Sequence, residues 1–263
     1  MVRKISKKKE KNMNKIIEAR MLSKTFSNEC VQQHVLKNLH IDIYEGDFTV
    51  IMGASGSGKS TLMYALSGID KPTLGNITCM GEDITKLNND QLAKFRRKYS
   101  GFVFQQNYLN DSMSVLDNIM ATGLLVNRNR KEVAQKAKEL LERVGIKKES
   151  WRKFPTQLSG GEAQRVSIVR ALVNSPSIVF ADEPTGALNS KSAEAVLDIM
   201  TEINDRGQSI LMVTHDMKTA RRANRILYLK DGVIIDELNL GKYVKNSETR
   251  HKELREFLTR MGW

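Results

Sequence analysis

The stretch Gly53-Ala54-Ser55-Gly56-Ser57-Gly58-Lys59-Ser60-Thr61 decides the fold of this chain. Its glycines permit backbone angles that other residues avoid, so successive N–H groups can point inward at phosphate oxygens. The apolar run Phe48–Met52 before it predicts a buried strand, and the apolar positions between Leu62 and Leu66 predict a helix after it. A strand, a glycine-rich loop and a helix in this order are the context in which a P-loop holds a nucleotide.

The loop predicts a phosphate and cation site. Lys59 would reach the β- and γ-phosphates, and Ser60 would hold Mg²⁺. The N-terminus of the following helix adds a favourable potential for anions. A flexible Gly/Ser turn is the plain alternative, but at a glycine frequency of roughly 7% the four fixed positions arise by chance in only about one such chain in a hundred. The residues expected to bind the nucleotide here are Gly53, Ala54, Ser55, Gly56, Ser57, Gly58, Lys59, Ser60 and Thr61.

Composition restricts the class of protein. The 263 residues suit one large domain or two modest ones, and 40% hydrophobic content supports a substantial core. No run approaches the roughly eighteen apolar residues of a membrane span, and the N-terminus lacks the apolar segment of a signal peptide. We therefore expect a cytosolic chain. Cys30 and Cys79 have neither metal-ligand nor redox spacing, which indicates packing residues in a reducing compartment.

Half of the net charge of +12 lies within residues 1–20. Such a run is typical of a solvated tail, predicted here over residues 1–15, although it could lie on an anionic membrane surface. The C-terminal segment 241–263 predicts an amphipathic helix, with Leu254, Phe257, Leu258 and Met261 on one face. We expect that face to pack on the rest of the chain, with a membrane or partner contact as the alternative.

Several further segments surround the predicted P-loop. Residues 16–22 and 36–43 predict two strands of an antiparallel flap, and Phe26 lies between them. We expect its ring to stack on a purine, although by itself it would be taken for a core residue. Residues 101–106 predict a strand that ends in two amides, and Gln105 could carry its oxygen to Mg²⁺ or to an attacking water.

A helical insert and a second anion site follow. Residues 114–146 have a helical apolar stripe, to which we assign packing and no chemistry. The sequence Leu158-Ser159-Gly160-Gly161-Glu162 then leads into a helix that continues through Leu172. Its N-terminus could bind an anion, with a serine but without the lysine and Mg²⁺ ligand of the first loop. Two half-sites in one chain predict a composite site.

Two acids end the next predicted strand, over residues 177–183. Asp182 would orient Mg²⁺ through water beside Ser60, and Glu183 would accept or steer the proton of the attacking water. The alternative is a surface turn that carries two charges. His215 follows another core strand, and a lone histidine at such a place is more often structural.

Taken together, these motifs resemble the ATP-binding cassette of ABC transporters over about residues 17–240. The resemblance implies ATP hydrolysis by an α/β fold. Its parts are a P-loop ATPase core with a mostly parallel sheet, an N-terminal antiparallel β flap, and an inserted α-helical subdomain at about 106–160. It also implies that two copies of the chain face head to tail, so that Ser159, Gly160 and Gly161 of one copy cover the γ-phosphate held by Lys59 of the other.

Two residues near the end of the cassette take their meaning from the resemblance. It gives His215 contact with the γ-phosphate and the task of holding the water and Glu183 in register. Asn189 departs from the aspartate that many cassettes have at this position. A contact between copies that depends on a carboxylate there is therefore in doubt.

The predicted partners are a second copy of the chain and a separate integral membrane permease. The permease would dock near residues 105–115 and hold the chain at the cytoplasmic face of the membrane, and no nucleic acid is expected. Residues 101–106, 162–165 and 182–186 look similar to the macrolide-export and lipoprotein-releasing group. Residues 185–190 and the Met-Gly-Trp ending are more similar to the bacitracin-export branch, which implies resistance to peptide antibiotics.

Three alternatives stay open. A DNA-repair ATPase would suit the positive charge, but Thr61 and Leu158 are too close in sequence to enclose its long arms. A translation-associated cassette protein would normally have two P-loops, whereas this chain has one. A non-hydrolysing scaffold is suggested by Asn189, although Glu183 is intact.

Overall fold

A computed structural model of the chain describes residues 14–28 and 31–263. Cys30 and all but the last two residues of the predicted tail lie outside these ranges. The strands of the described residues are β1 (Lys15–Asn28), β2 (Val31–Tyr44), β3 (Phe48–Met52), β4 (Leu74–Cys79), β5 (Glu82–Asp83), β6 (Ser100–Phe104), β7 (Ile178–Asp182), β8 (Ser209–Val213), β9 (Arg225–Lys230) and β10 (Val233–Asn239).

The helices alternate with these strands over most of the chain, as expected of an α/β protein. In the described residues they are α1 (Lys59–Leu66), α2 (Asn89–Tyr99), α3 (Val115–Gly123), α4 (Arg130–Arg143), α5 (Gly160–Leu172), α6 (Ser190–Asp205), α7 (Met217–Ala220) and α8 (Glu248–Met261). None of the helices in this part of the chain is long and apolar enough to cross a membrane.

The larger sheet has the strand order β10-β9-β3-β8-β7-β6. Neighbouring strands from β9 to β6 run parallel, and only β10 pairs antiparallel, as the edge strand. Every residue of β3 and β8 is buried, because parallel strands covered by helices on both faces need apolar side chains on both. The carboxyl ends of β6, β7 and β8 meet at one edge, where Phe104 lies opposite Asp182 and Asp182 lies opposite Val213.

A smaller antiparallel sheet, of order β2-β1-β4-β5, forms the predicted flap. Its inner face joins α1 and α2 in one hydrophobic cluster against the larger sheet, and Cys79 is buried in that cluster, as the sequence predicted. A second cluster packs α6 and α8 on the opposite face of the larger sheet. A third packs α3 and α4, the helices of the insert, on α5. The α/β architecture with flap and insert is therefore confirmed.

The structure corrects some of the predicted boundaries. The hairpin of β1 and β2 extends to Asn28 and Val31, so Phe26 belongs to β1 opposite Gln33 rather than to a loop between strands. The flap continues there because ladder hydrogen bonds continue beyond the apolar residues that marked the strands. The insert, predicted to be helical over residues 114–146, contains the two helices α3 and α4. The sequence-based interpretation also left α6 out entirely.

The C-terminal helix α8 packs as expected. Leu254, Phe257 and Leu258 are buried in the second cluster. Arg250, also buried, donates hydrogen bonds to a group of main-chain carbonyl oxygens at the segments before and after the β9–β10 hairpin. They belong to Arg221, Ala223, Leu240, Gly241 and Lys242.

Candidate active site

The P-loop lies between β3 and α1, and its glycines are required by the local geometry. Gly53 approaches the backbone of β9 so closely that a Cβ atom there would lie 2.2 Å from the Leu229 carbonyl oxygen. Gly56 has φ +78°, in the region that side chains avoid. Among the described residues, no side chain caps the N-terminus of α1 at Gly58. The free N–H groups of a helix end are thus left to bind an anion.

Lys59 lies inside this loop and is only 7% exposed. Its Nζ atom donates to the carbonyl oxygens of Gly53 at 2.9 Å and Ala54 at 2.8 Å. A lysine ammonium has three donors, so a third can reach a phosphate oxygen. Burial lowers the pKa of Lys59, while the nearby charges of Glu183 and Asp182 act in the opposite direction. The site therefore keeps a partly desolvated cation near two carboxylates.

Asp182 ends β7 and receives hydroxyl groups from two residues of α1. Ser60 Oγ lies 3.0 Å from Asp182 Oδ1, and Tyr64 Oη lies 2.8 Å from Asp182 Oδ2. Ser60 and Tyr64 are four residues apart, so they share one face of the helix. Burial and the hydrogen bond to Asp182 raise the pKa of Tyr64 to about 12, which keeps its hydroxyl protonated at neutral pH. No sequence motif pointed to Tyr64.

Glu183 and His215 meet at the same edge of the larger sheet. His215 Nδ1 lies 2.8 Å from Glu183 Oε1. Glu183 has φ +44°, a left-handed conformation that costs a non-glycine residue roughly 1 kcal/mol, and its N–H donates to the Val213 carbonyl oxygen at 3.0 Å. Strain of this kind concentrates at functional sites. The bond to β8 holds the backbone in this conformation and places the carboxylate beside His215.

Gln105 follows the end of β6 and lines a cavity of about 380 Å³ together with Glu183 and His215. Its side chain packs on Gly186, where a Cβ atom would lie 2.9 Å from Gln105 Nε2. The structure therefore brings the three predicted catalytic residues to one cavity. A direct approach of Gln105 to Mg²⁺ stays a prediction.

Helix α5, which begins in the Ser159-Gly160-Gly161 segment, holds the main chain on either side of Gln105. The buried Gln164 donates from Nε2 to the Phe104 carbonyl oxygen at 2.8 Å. Arg170 donates to the carbonyl oxygens of Asn107 at 2.6 Å and Tyr108 at 2.5 Å. Movement of α5 would thus be transmitted to the loop that follows Gln105.

Ser159 is the N-cap of α5, and both it and Gly160 are exposed. The Ser159 hydroxyl donates to Glu162 Oε2 at 2.7 Å, and Glu162 returns a bond from its N–H. This capping box could have been recognised from the Ser-Gly-Gly-Glu spacing. Gly161 faces α6 so closely that a Cβ atom would lie 2.7 Å from Ser192 Oγ. A phosphate contact from Ser159 would require its hydroxyl to turn away from Glu162.

A cleft of about 460 Å³ lies beside the P-loop. Ala54–Ser57 form one wall, β2 residues such as Gln33 form another, and the end of α8 also reaches it. Phe26 pairs with Gln33 across the hairpin and is 45% exposed, with Lys24 Nζ at 4.9 Å from its ring centroid. Stacking of a purine on Phe26 stays a prediction.

The residues present fit a nucleotide with its magnesium ion. Ser57 Oγ is buried and has no hydrogen-bond partner among the described residues, as expected of a donor for a phosphate oxygen. Ser60 and Asp182 offer the hard oxygen atoms that Mg²⁺ prefers. Asn189 caps α6 by accepting from the Ser192 N–H at 2.9 Å, a task that asparagine performs as well as aspartate.

These features define an ATPase domain of the P-loop type, and comparison with known proteins identifies its family. The family model described as "ABC transporter" matches residues 36–186. The chain belongs to this family.

Two relatives place the chain within the family. It is 44% identical over 240 residues to the macrolide export ATP-binding/permease protein MacB of Escherichia coli. The alignment covers 91% of this chain and 37% of MacB. The chain therefore spans well under half of that relative's length. It is 42% identical to the uncharacterized ABC transporter ATP-binding protein MJ1508 of Methanocaldococcus jannaschii, covering 85% of this chain and all of that protein.

A solved structure has the same architecture. It is the dimeric, post-hydrolysis state of the ATP-binding cassette MJ0796 bound to ADP and Pi, with a TM-score of 0.80 and 37% identity. The match covers 86% of this chain and 100% of that chain. ATP binding by this chain agrees with both the family and this neighbour.

Proposed function

We propose that this chain is the ATPase subunit of an ABC exporter and that its ATP hydrolysis drives a membrane permease. The observation that carries the proposal is the Glu183–His215 hydrogen bond, beside the Ser60–Asp182 pair, since Asp182 ends β7 directly before Glu183. A general base, an orienting histidine and two oxygen ligands at the edge of a P-loop are the parts that hydrolysis of a nucleoside triphosphate needs.

The residues would divide the work by position. Lys59 and the N–H groups of the P-loop would bind the phosphates. Ser60 and Asp182, with Gln105 as a further candidate, would hold Mg²⁺, which would neutralise phosphate charge when bound. Glu183 would accept the proton of a water, and His215 would keep the Glu183 carboxylate in place. The ring of Phe26, on the flap, would stack on the purine of the nucleotide.

The active form would contain two copies of the chain. Ser159, Gly160 and Gly161 would complete the nucleotide site of the other copy. Two observations support this arrangement: the N-terminus of α5 is exposed at Ser159 and Gly160, and the structural relative MJ0796 is dimeric. Because α5 is hydrogen-bonded to the loop after Gln105, a movement of α5 caused by dimer contact at Ser159 would be transmitted to that loop in the same chain.

The loop after Gln105 would also contact the permease. Tyr108 is 64% exposed there, and Met113 is exposed a few residues later. MacB joins an ATP-binding part and a permease in one protein, whereas the relative MJ1508 is matched over its whole length. A separate integral membrane permease, which would hold this chain at the cytoplasmic face of the membrane, is in keeping with the second of these relatives. The division into a tail at 1–15, a cassette at 16–240 and a C-terminal segment at 241–263 stays part of the proposal.

Similarity to MacB favours a cargo of the macrolide-export group. Transport of peptide antibiotics, suggested by residues 185–190, stays a prediction. Asn189 is a sufficient cap for α6, but this cap does not bear on a contact between copies, so a non-hydrolysing scaffold stays an alternative. Duplex DNA should leave the ATPase rate unchanged if the DNA-repair alternative is wrong.

Dimer formation tests the proposal. Glu183→Gln keeps the acceptor oxygen near His215 but removes the base, so we expect it to bind ATP without cleaving it and to sediment as a dimer. The control Lys59→Ala should stay monomeric because it loses phosphate contact. A Glu183→Gln protein that stays monomeric at saturating ATP would contradict the composite site. Wild-type phosphate release no greater than that of Lys59→Ala would favour a scaffold.

A further inference from the structure

Asp182 has two carboxylate oxygens, and α1 supplies a hydroxyl to each of them. Ser60 faces Oδ1 at 3.0 Å, on the side of the P-loop, while Tyr64 faces Oδ2 at 2.8 Å one helical turn farther on. Both bonds connect residues more than a hundred positions apart. They therefore fix the carboxylate relative to α1 and not merely within its own strand.

We infer that Tyr64 is a positioning residue for the magnesium site, because it holds Asp182 Oδ2 so that Oδ1 faces Ser60 and the cation. This inference rests on the proposed role of Ser60 and Asp182. A carboxylate on a short side chain can rotate about its terminal bond, and one hydrogen bond leaves that rotation open. A second donor on the other oxygen restricts it.

The ring of Tyr64 packs against the first hydrophobic cluster, so the hydroxyl is directed by a fixed aromatic body. Its removal in Tyr64→Phe keeps the packing and leaves Oδ2 without this donor. Partners of metal-binding groups typically contribute 10–100-fold to metal affinity. We expect the gain in nucleotide affinity that Mg²⁺ provides to fall by about tenfold.

The test measures the dissociation constant of a non-hydrolysable ATP analogue by calorimetry on the full chain, with Mg²⁺ and with Mg²⁺ chelated. Tyr64→Phe should weaken binding of the analogue only when Mg²⁺ is present. Electron paramagnetic resonance with Mn²⁺ in place of Mg²⁺ should show a matching loss of affinity for the cation. Tyr99→Phe is the matched control, since Tyr99 packs on the same cluster but its ring lies against Phe95. Its two constants should equal those of the wild type.

Other results would overturn the inference. Equal weakening with and without Mg²⁺ would mean that Tyr64 merely supports the P-loop. No change in either constant would mean that Asp182 does not need the second donor. If the wild type itself gains no affinity from Mg²⁺, and Ser60→Ala behaves in the same way, the proposed magnesium site fails and the inference fails with it.

Discussion

The Glu183–His215 pair makes a quantitative prediction about turnover. Because Nδ1 of the imidazole lies 2.8 Å from Glu183 Oε1, the two side chains should act as one unit. We consider Glu183→Gln, His215→Ala and the double variant. Gln has the size of Glu and keeps an acceptor oxygen, so the first change removes the base with little change in shape.

General bases contribute about 10²–10⁴ to rate. We expect Glu183→Gln to lower kcat by about 10³, or roughly 4 kcal/mol, and His215→Ala by about 10², or roughly 2.7 kcal/mol. Independent effects would multiply to about 10⁵. If His215 acts through Glu183, it has no base to orient in the double variant, whose kcat should fall only by about 10³. The coupling energy would then be roughly 2.7 kcal/mol.

Phosphate release at saturating Mg²⁺ and ATP measures all four kcat values. His40→Ala is the control partner, because His40 is exposed on β2 in the flap and should combine additively with Glu183→Gln. A double variant that falls by the product of the two single effects would refute the view that His215 works through Glu183. Normal turnover in His215→Ala would remove the histidine from the site.

Three further predictions concern stability and reactivity. Arg250→Met should lower the free energy of unfolding by about 3 kcal/mol, because buried carbonyl oxygens lose a charged donor, and Tm by roughly 6–12 °C in a chain of this size. Arg255→Met, at an exposed position of the same helix, is the control, and an equal Tm in the two variants would contradict the anchoring role of Arg250. Burial raises the pKa of Cys79 to about 12, so iodoacetamide at neutral pH should modify it only after denaturant is added, as mass spectrometry of the peptide would report. Hydrogen bonds from the N–H and then the hydroxyl of Ser159 lower the pKa of Glu162 below 4.5. The stability that ionised Glu162 contributes is therefore present above pH 4.5 and is lost as the pH falls through the lowered pKa. The Tm difference between the wild type and Glu162→Gln should shrink on acidification, and a constant difference would contradict the capping box.

Some features of this protein follow from local sequence. The P-loop could be predicted because a few glycines, a lysine and a serine at fixed spacing act on one phosphate chain, between an apolar strand and an apolar helix. The buried strands β3, β7 and β8 were equally clear, because short segments of mostly apolar residues are typical of buried parallel strands. Asp182 and Glu183 were recognisable as acids at the end of such a strand.

The ends of some elements and the hydrogen-bond partners of some site residues were harder to predict from the sequence. The hairpin that includes Phe26 is longer than its apolar pattern, since hydrogen bonds along a ladder do not require apolar side chains. The capping box between Ser159 and Glu162 was not predicted, although the Ser-Gly-Gly-Glu spacing indicates it. The helix α6 was left out although its periodicity is amphipathic.

By itself, the sequence determined most of the strands and helices of the core, although not α6, and which short motifs could hold phosphate. Only the tertiary structure decided that Tyr64 reaches Asp182, that His215 meets Glu183, and that α5 bonds to the loop after Gln105. The physical reason is that periodicity and turn residues act between neighbours along the chain. Contacts across a sheet depend on strand order and register, which arise only when distant segments pack together.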